Sequence, residues 1–257
     1  MSNSDKKIEH NRFEKRAEKL LLKKNINFLN GSESMSEYLK PPYLFYEKKI
    51  YQLIKRSDRV LEIGSGVGLH TYSLLKTGSN VIASDISKKS LEVLEQRFNR
   101  ANNLKTIVAD IENLPFEDNT FTFVICAGSL SYGKEEVVDS EIRRVLSPGG
   151  KFICVDSLNN NPIYKMNRYL HFRNSNRSKM TLENMPSIRR LKKLKQHYHI
   201  RDLRFYGSIS YLMPLISNLL NERIARKISD FVDNILKISY SAFKFVLVAE
   251  LKNNHEK

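Results

Sequence analysis

A chain of 257 residues with 41% apolar and 28% charged side chains can build one core-forming domain with appendages, and wholesale disorder is excluded. No window of 18 uncharged apolar residues occurs, which excludes a conventional membrane-spanning helix, and the charged start has no apolar run before a cleavage site, so no secretory leader is expected. The net charge of +15 is uneven: residues 1–59 carry +6, residues 60–156 carry −3 and residues 157–257 carry +12, which fits either an anionic partner (nucleic acid, lipid headgroups, a phosphorylated substrate) or a lysine-rich proteome.

The first 57 residues read as a helical segment. Within it, residues 36–51, with Tyr38, Tyr43 and Tyr46, are expected to contribute to a lid, although such aromatics more often pack. Residues 58–156 then alternate between two kinds of pattern. Short β-branched runs at 58–63, 79–84, 104–109, 121–126 and 150–155 read as strands. Between them, Leu91, Leu94 and Phe98 recur at helical spacing, as do Val137, Val138, Ile142 and Val145 ahead of a turn predicted at Ser147-Pro148-Gly149-Gly150. Nearly all-apolar strands spaced by helices predict an α/β, doubly wound sheet covered on both faces. Ligands of such sheets bind at the carboxyl ends of the strands. Cys126 and Cys154 lie inside apolar strands and read as reduced core thiols of a cytoplasmic protein.

A glycine loop follows the first strand: Glu62-Ile63-Gly64-Ser65-Gly66-Val67-Gly68. Glycine there lets the backbone turn sharply and approach a ligand without a Cβ clash. The spacing is G-x-G-x-G, and Leu69 stands where a dinucleotide fingerprint wants its third small residue. Asp85 ends the second strand, placed to accept from two ribose hydroxyls, and Asp110 ends the third, where a carboxylate can accept from an adenine amino group.

These segments stand in order with Ala83-Ser84-Asp85-Ile86, Val108-Ala109-Asp110-Ile111, Leu114-Pro115-Phe116 and Leu146-Ser147-Pro148-Gly149-Gly150. Over about residues 58–156 the chain resembles the class I S-adenosylmethionine-dependent methyltransferases, the type 11 small-molecule branch in particular. The resemblance implies S-adenosylmethionine as cofactor and S-adenosylhomocysteine as product. It implies that Gly64, Ser65, Gly66 and Gly68 wrap the aminoacyl end, with Glu62 reaching the ammonium. Asp85 holds the ribose with Ile86 against the adenine, Asp110 and Ile111 hold the adenine edge and face, and Ala127 and Gly128 lie beside the sulfonium. It also implies a Rossmann-like, seven-stranded, mostly parallel sheet with a reversed last strand. Residues 199–205 and 242–250 suit the sixth and seventh strands, and the insertions at 157–198 and 206–241 are expected to form helical cover over the substrate. The parts are then 1–57, a helical segment and lid; 58–156, the cofactor core; and 157–257, substrate cover plus two strands, in one compact domain.

An in-line methyl transfer mainly requires alignment and exclusion of water, and an alcohol acceptor also needs a base. Candidates near the strand ends are His70, Tyr132, Asp156 and His171; His70 reads first as structural, and His171 in the first insertion is the favoured base. His197 and His199 flank Tyr198 without a third ligand, and no metal is expected. Lys40-Pro41-Pro42-Tyr43 resembles the Pro-Pro-Tyr loop of DNA amino-methyltransferases, but lysine cannot accept from an amino group, so nucleic acid is not the expected partner.

Residues 187–196 place Ile188, Leu191 and Leu194 at three-residue spacing among lysines and arginines, a basic amphipathic helix. It reads either as packed on the core or as a peripheral contact with the anionic inner face of a membrane. With Asn161-Pro162-Ile163-Tyr164 and the 38–44 stretch, the chain is also loosely similar to methyltransferases of bacterial surface-polysaccharide synthesis. The expected reaction is methylation of a sugar hydroxyl on a nucleotide- or lipid-linked glycan precursor. The alternatives are a prenylated quinone or lipid acceptor, an RNA acceptor, and a non-catalytic cofactor-binding scaffold. The oligomeric state is left open.

Overall fold

The computed structural model describes residues 3–22, 29–173, 178–236 and 239–253. The chain opens with α1 (Asn3–Leu21), two 3-10 turns (Gly31–Ser34 and Glu37–Leu39) and α2 (Lys40–Leu53). There follow β1 (Arg59–Ile63), α3 (Thr71–Leu75), β2 (Asn80–Asp85), α4 (Lys88–Arg97), β3 (Leu104–Val108), β4 (Phe121–Ala127), α5 (Glu135–Val145) and β5 (Leu146–Ser157). The last part gives α6 (Pro162–Arg173), α7 (Lys179–Glu183), α8 (Ile188–Leu194), β6 (Tyr198–Tyr206), α9 (Met213–Leu219), α10 (Glu222–Leu236) and β7 (Lys244–Leu251).

The seven strands form one sheet in the order β3-β2-β1-β4-β5-β7-β6. Strands β1 to β5 pair in parallel, and β7 runs antiparallel between β5 and β6. This is the expected sheet with a reversed last strand. The order switches direction between β1 and β4, so the crevice opens at their carboxyl ends.

Alternation along the strands sorts the two layers. Leu61, Ile63, Val124 and Cys126 face Val138, Ile142 and Val145 of α5 and Leu191 and Leu194 of α8. Val60, Phe123 and Ile125 face the opposite layer, with Tyr46 and Ile50 of α2 and Leu74 of α3. Neighbouring residues fall on opposite sides because strand side chains repeat every two residues. Each buried Val, Leu or Ile stabilises by roughly 1.5–3 kcal/mol, so the three α5 residues alone hold that helix to the sheet.

The structure corrects the sequence reading in two places and, for the basic helix, selects the packed alternative. The lid expected from 36–51 is not what α2 forms. Pro41 and Pro42 open that helix, where a missing N–H donor costs nothing, and Tyr43, Tyr46 and Ile50 are buried against the sheet. The turn expected at 147–150 lies within β5: Leu146 pairs with Phe121, pairing resumes at Lys151 with Phe123, and Gly149 sits at φ +71° in the irregularity. The basic helix α8 packs its apolar row inward, and Arg190 in its middle is 1% exposed. Arg190 donates to Asp139 of α5 at 2.6 Å and to the Leu130 carbonyl at 3.2 Å, so it is an internal strut rather than part of a basic surface.

Candidate active site

The site grows from the end of β1. Gly64, Gly66 and Gly68 sit at φ +66°, +54° and +80°, the left-handed region that favours glycine. The turn is stapled to β2: Ser65 N–H donates to the Ser84 carbonyl at 3.0 Å, and Gly66 N–H donates to Asp85 Oδ2 at 2.8 Å. The three glycines have different surroundings. A Cβ on Gly64 would stand 2.1 Å from Ser129 Oγ, and one on Gly68 would stand 2.9 Å from Leu94 Cγ and Phe98 Cε2. A Cβ on Gly66 would meet nothing within 4 Å, and the same holds for Gly128, at φ +78° after β4. Gly66 and Gly128 therefore face open space, whereas Gly68 allows the turn to pack on α4.

That space is a cavity lined by Gly64, Gly66, Asp85, Ile86, Asp110 and Ile111, and by Ala127, Gly128, Ser129 and Tyr132 on the β4 side. The structure thus brings together most of the residues singled out in the sequence. Ser65 and Gly68 lie outside the lining, as does Glu62, which is buried beneath it and accepts from Thr71 Oγ1 at 2.6 Å. Burial pushes the Glu62 carboxyl up to about 8; the Thr71 bond works against this and the Asp85 charge adds to it. Burial also raises Asp85, opposed by the backbone donors of Ser87 and Gly66. Asp85 spends one lone pair on each of those donors and keeps acceptor capacity on both oxygens.

Helix α1 closes the cavity, a role nothing in its polar sequence announces. Lys6, Glu9 and Phe13 of α1 complete the lining. The Lys6 ammonium bonds Asp110 Oδ2 and pairs with Glu112. Burial would raise Glu112, but the Lys134 N–H and the Lys6 ammonium outweigh it and hold the carboxyl at about 2. Phe13 packs edge-on to Tyr132 with centroids 5.4 Å apart, and Arg12 donates to the Tyr132 hydroxyl at 3.2 Å. Glu9 accepts from Ser178 N–H at 2.8 Å and Thr181 Oγ1 at 3.0 Å, which fastens α1 to the start of α7. Further along α1, Glu14 accepts from Ser87 Oγ at 2.9 Å, beside α4. The loop carrying Tyr132 is held from below as well: Leu130 N–H donates to Asp156 Oδ2 at 3.0 Å, and Arg190 holds the Leu130 carbonyl.

The candidate bases separate. Tyr132 lines the cavity. His70 does not: it is stacked on Tyr43 at 5.2 Å and edge-on to Tyr46 at 5.8 Å. Burial, with help from the Lys244 charge, lowers its pKa to about 4, so it stays neutral. Asp156 lies outside the lining and is buried, accepting from the Leu130 and Ser157 backbone. His171 falls within α6, and its side chain lies outside the described residues. Among the described residues, no three His, Cys, Asp or Glu side chains form a metal-binding group, and no helix is long and apolar enough to cross a membrane.

Comparison with known proteins agrees with this geometry. A family model described as a methyltransferase domain matches residues 61–154. A demethylmenaquinone methyltransferase of Staphylococcus saprophyticus is 33% identical over 130 residues, 47% of this chain and 54% of that protein. The sterol 4-C-methyltransferase strm-1 of Caenorhabditis elegans is 29% identical over 140 residues, 53% of this chain and 41% of that protein. The chain therefore spans about half the length of the curated relatives it matches. Among solved structures, a geranyl diphosphate methyltransferase in complex with GPP and sinefungin shares the fold with a TM-score of 0.58 and 16% identity, over 82% of this chain and 80% of that one. Strand order, the glycine turn with its two aspartates, and the match across 61–154 coincide, and over this core the chain is similar to the class I S-adenosylmethionine-dependent methyltransferases.

Proposed function

We propose that the chain transfers a methyl group from S-adenosylmethionine to an apolar small-molecule acceptor of the quinone or lipid class. The observation that carries the reading is the single cavity shared by the glycine turn, Asp85, Asp110 and the residues after β4. The residues fit the cofactor. Gly66 and Gly128 leave the room a Cβ would fill, and Ser65 Oγ is a buried polar atom without a protein partner. Asp85 would take the ribose hydroxyls, Asp110 the adenine amino group, Ile86 and Ile111 the adenine faces, and Glu62 the ammonium. When bound, the cofactor supplies an electrophilic methyl on a sulfonium, which departs as the thioether of S-adenosylhomocysteine.

The protein's own task is alignment and exclusion of water. Helix α1 performs the second through Phe13 and Lys6, and the Asp156 and Arg190 struts fix the post-β4 loop for the first. The acceptor class is argued from the lining on that side. Phe13, Ala127, Gly128 and the Tyr132 ring offer an apolar wall, and of its two hydroxyls that of Ser129 donates to the Gly64 carbonyl, which suits a flat apolar ring better than a polyhydroxylated sugar. The relatives named for demethylmenaquinone and sterol methylation point the same way.

The sugar-hydroxyl acceptor stands as a second reading. It is favoured by the Tyr132 hydroxyl, which Arg12 supports at 3.2 Å and which is the candidate base in the cavity. The test offers the purified chain methyl-labelled cofactor with a short-chain naphthoquinone lacking its ring methyl, a sterol and a nucleotide sugar. Label in the quinone or sterol is expected. Label in the sugar alone transfers the activity to the second reading. Binding of cofactor without label in any acceptor supports a scaffold.

A further inference from the structure

The segment between β6 and β7 folds as α9 and α10, packed on each other and on the turn at Glu37–Leu39. Helix α10 is turned inside out. Its inward face carries Ala225 and Ser229, both buried, and Asp233, which accepts from Gly207 N–H at 2.6 Å and Ser208 N–H at 2.9 Å. Its apolar row, at i, i+4, i+7 and i+11, is Ile224, Ile228, Phe231 and Ile235; Ile228 is half-buried, Ile224 is 38% exposed, and Phe231 and Ile235 face outward at 65% and 59%. A helix whose sole partner is its own domain places such a row inward. Helix α9 repeats the feature: Leu215 and Leu219, one turn apart, are 61% and 73% exposed. Exposed apolar rows of this extent mark a surface that something covers.

The charges identify the cover. Arg223 and Lys227 are exposed and lie about 60–100° around α10 from the apolar row. The helix's acids are spent elsewhere: Glu222 accepts from Glu37 N–H, and Asp230 pairs with Arg226. The face therefore offers an apolar row beside a cationic one. An antiparallel two-fold pairing of α10 through this face would bring the two cationic rows together with no acid between them. An anionic bilayer satisfies both rows at once. The α8 helix cannot supply this contact, because its apolar row is packed on the core.

We propose that α9 and α10 form an interfacial anchor that docks on an anionic lipid bilayer. The apolar rows enter the boundary between headgroups and acyl chains, while Arg223 and Lys227 meet the phosphates. The surface is separate from the cofactor cavity, so its test is independent of the acceptor.

Sedimentation with sucrose-loaded vesicles at 0.1 M salt tests it, comparing 70:30 phosphatidylcholine/phosphatidylglycerol with pure phosphatidylcholine. The chain is expected to sediment with the anionic vesicles and at least tenfold less with the neutral ones. Phe231→Ser/Ile235→Ser is expected to lower binding more than tenfold, and Arg223→Gln and Lys227→Gln by about fivefold each. All three variants alter exposed positions, and unchanged S-adenosylhomocysteine affinity verifies that they fold. Absence of binding to anionic vesicles, or binding undiminished in all three variants, overturns the proposal. A dimer seen by light scattering that Phe231→Ser/Ile235→Ser dissolves overturns it in favour of self-association.

Discussion

Glu62 is neutral at pH 7 in the ligand-free protein, because burial pushes its carboxyl up to about 8. An ammonium brought against it would ionise it, so binding S-adenosylmethionine would expel a proton. Below pH 8 each unit of pH then raises affinity nearly tenfold. The ligand's own amino group loses its charge near pH 8, with a pKa of about 7.7–8.0. Multiplying the two fractions gives about an eightfold gain from pH 6 to 7 and a maximum near pH 8. Titration calorimetry at pH 6, 7 and 8, in buffers of different ionisation enthalpy, reads both the affinity and the proton released. Glu62→Gln flattens the profile. The same shift has a stability counterpart. A carboxyl raised from 4.5 to about 8 holds an extra proton in the folded state between those values, so its contribution is complete below pH 4.5 and is lost as pH rises through 8. A flat affinity profile in the native protein, with no proton released, would refute the ammonium contact and leave Glu62 as a structural tie to Thr71.

Three further outcomes follow from the contacts around the cavity. Gly64→Ala drives a Cβ against Ser129 at φ +66° and is expected to cost about 2–4 kcal/mol, seen as a fall in Tm; Gly66→Ala, at φ +54° in open space, costs about 1–2 kcal/mol yet weakens cofactor binding at least tenfold, and equal effects on Tm and affinity would contradict this division. Lys6→Met frees Asp110 Oδ2 and is expected to tighten S-adenosylhomocysteine binding by about fivefold at low salt, the worth of a part-exposed ion pair of about 1 kcal/mol; an unchanged affinity would mean that Asp110 does not receive the ligand. Arg190→Met leaves Asp139 without its partner and is expected to cost about 3–5 kcal/mol in urea unfolding, most of it recovered in Arg190→Met/Asp139→Leu; a loss below 1 kcal/mol would show that the strut is dispensable.

The sheet and the cofactor side of the site were readable because their signals are local. A strand buried on both faces is an unbroken apolar run, and the glycine turn and the two aspartates lie at the ends of such runs. What escaped depends on contacts distant in sequence. Lys6 meets Asp110 and Arg12 meets Tyr132 across more than one hundred residues, and α1 on its own is a charged helix with only a short apolar row, Phe13, Ala17 and Leu20, to announce a partner. Tyr43 and Tyr46 suited a lid as well as the core where such aromatics more often pack, and the sheet's need for cover over Val60, Phe123 and Ile125 decided the matter. In the 187–196 stretch the helical spacing was visible, but the burial of Arg190 was not, since only the position of Asp139 on α5 makes it tolerable. The apolar row of α10 is plain in sequence; which way it faces is set by Asp233 turning inward to the Gly207 and Ser208 backbone.

Calorimetry of S-adenosylhomocysteine against the purified chain and its Asp85→Ala variant goes most directly to the shared cavity. One molecule is expected to bind per native chain. The variant loses the ribose bonds and the Gly66 staple, and at about 1.5–3 kcal/mol per hydrogen bond to a charged group it is expected to bind at least a hundredfold more weakly. No binding by the native chain, or equal affinity in the variant, would contradict the account.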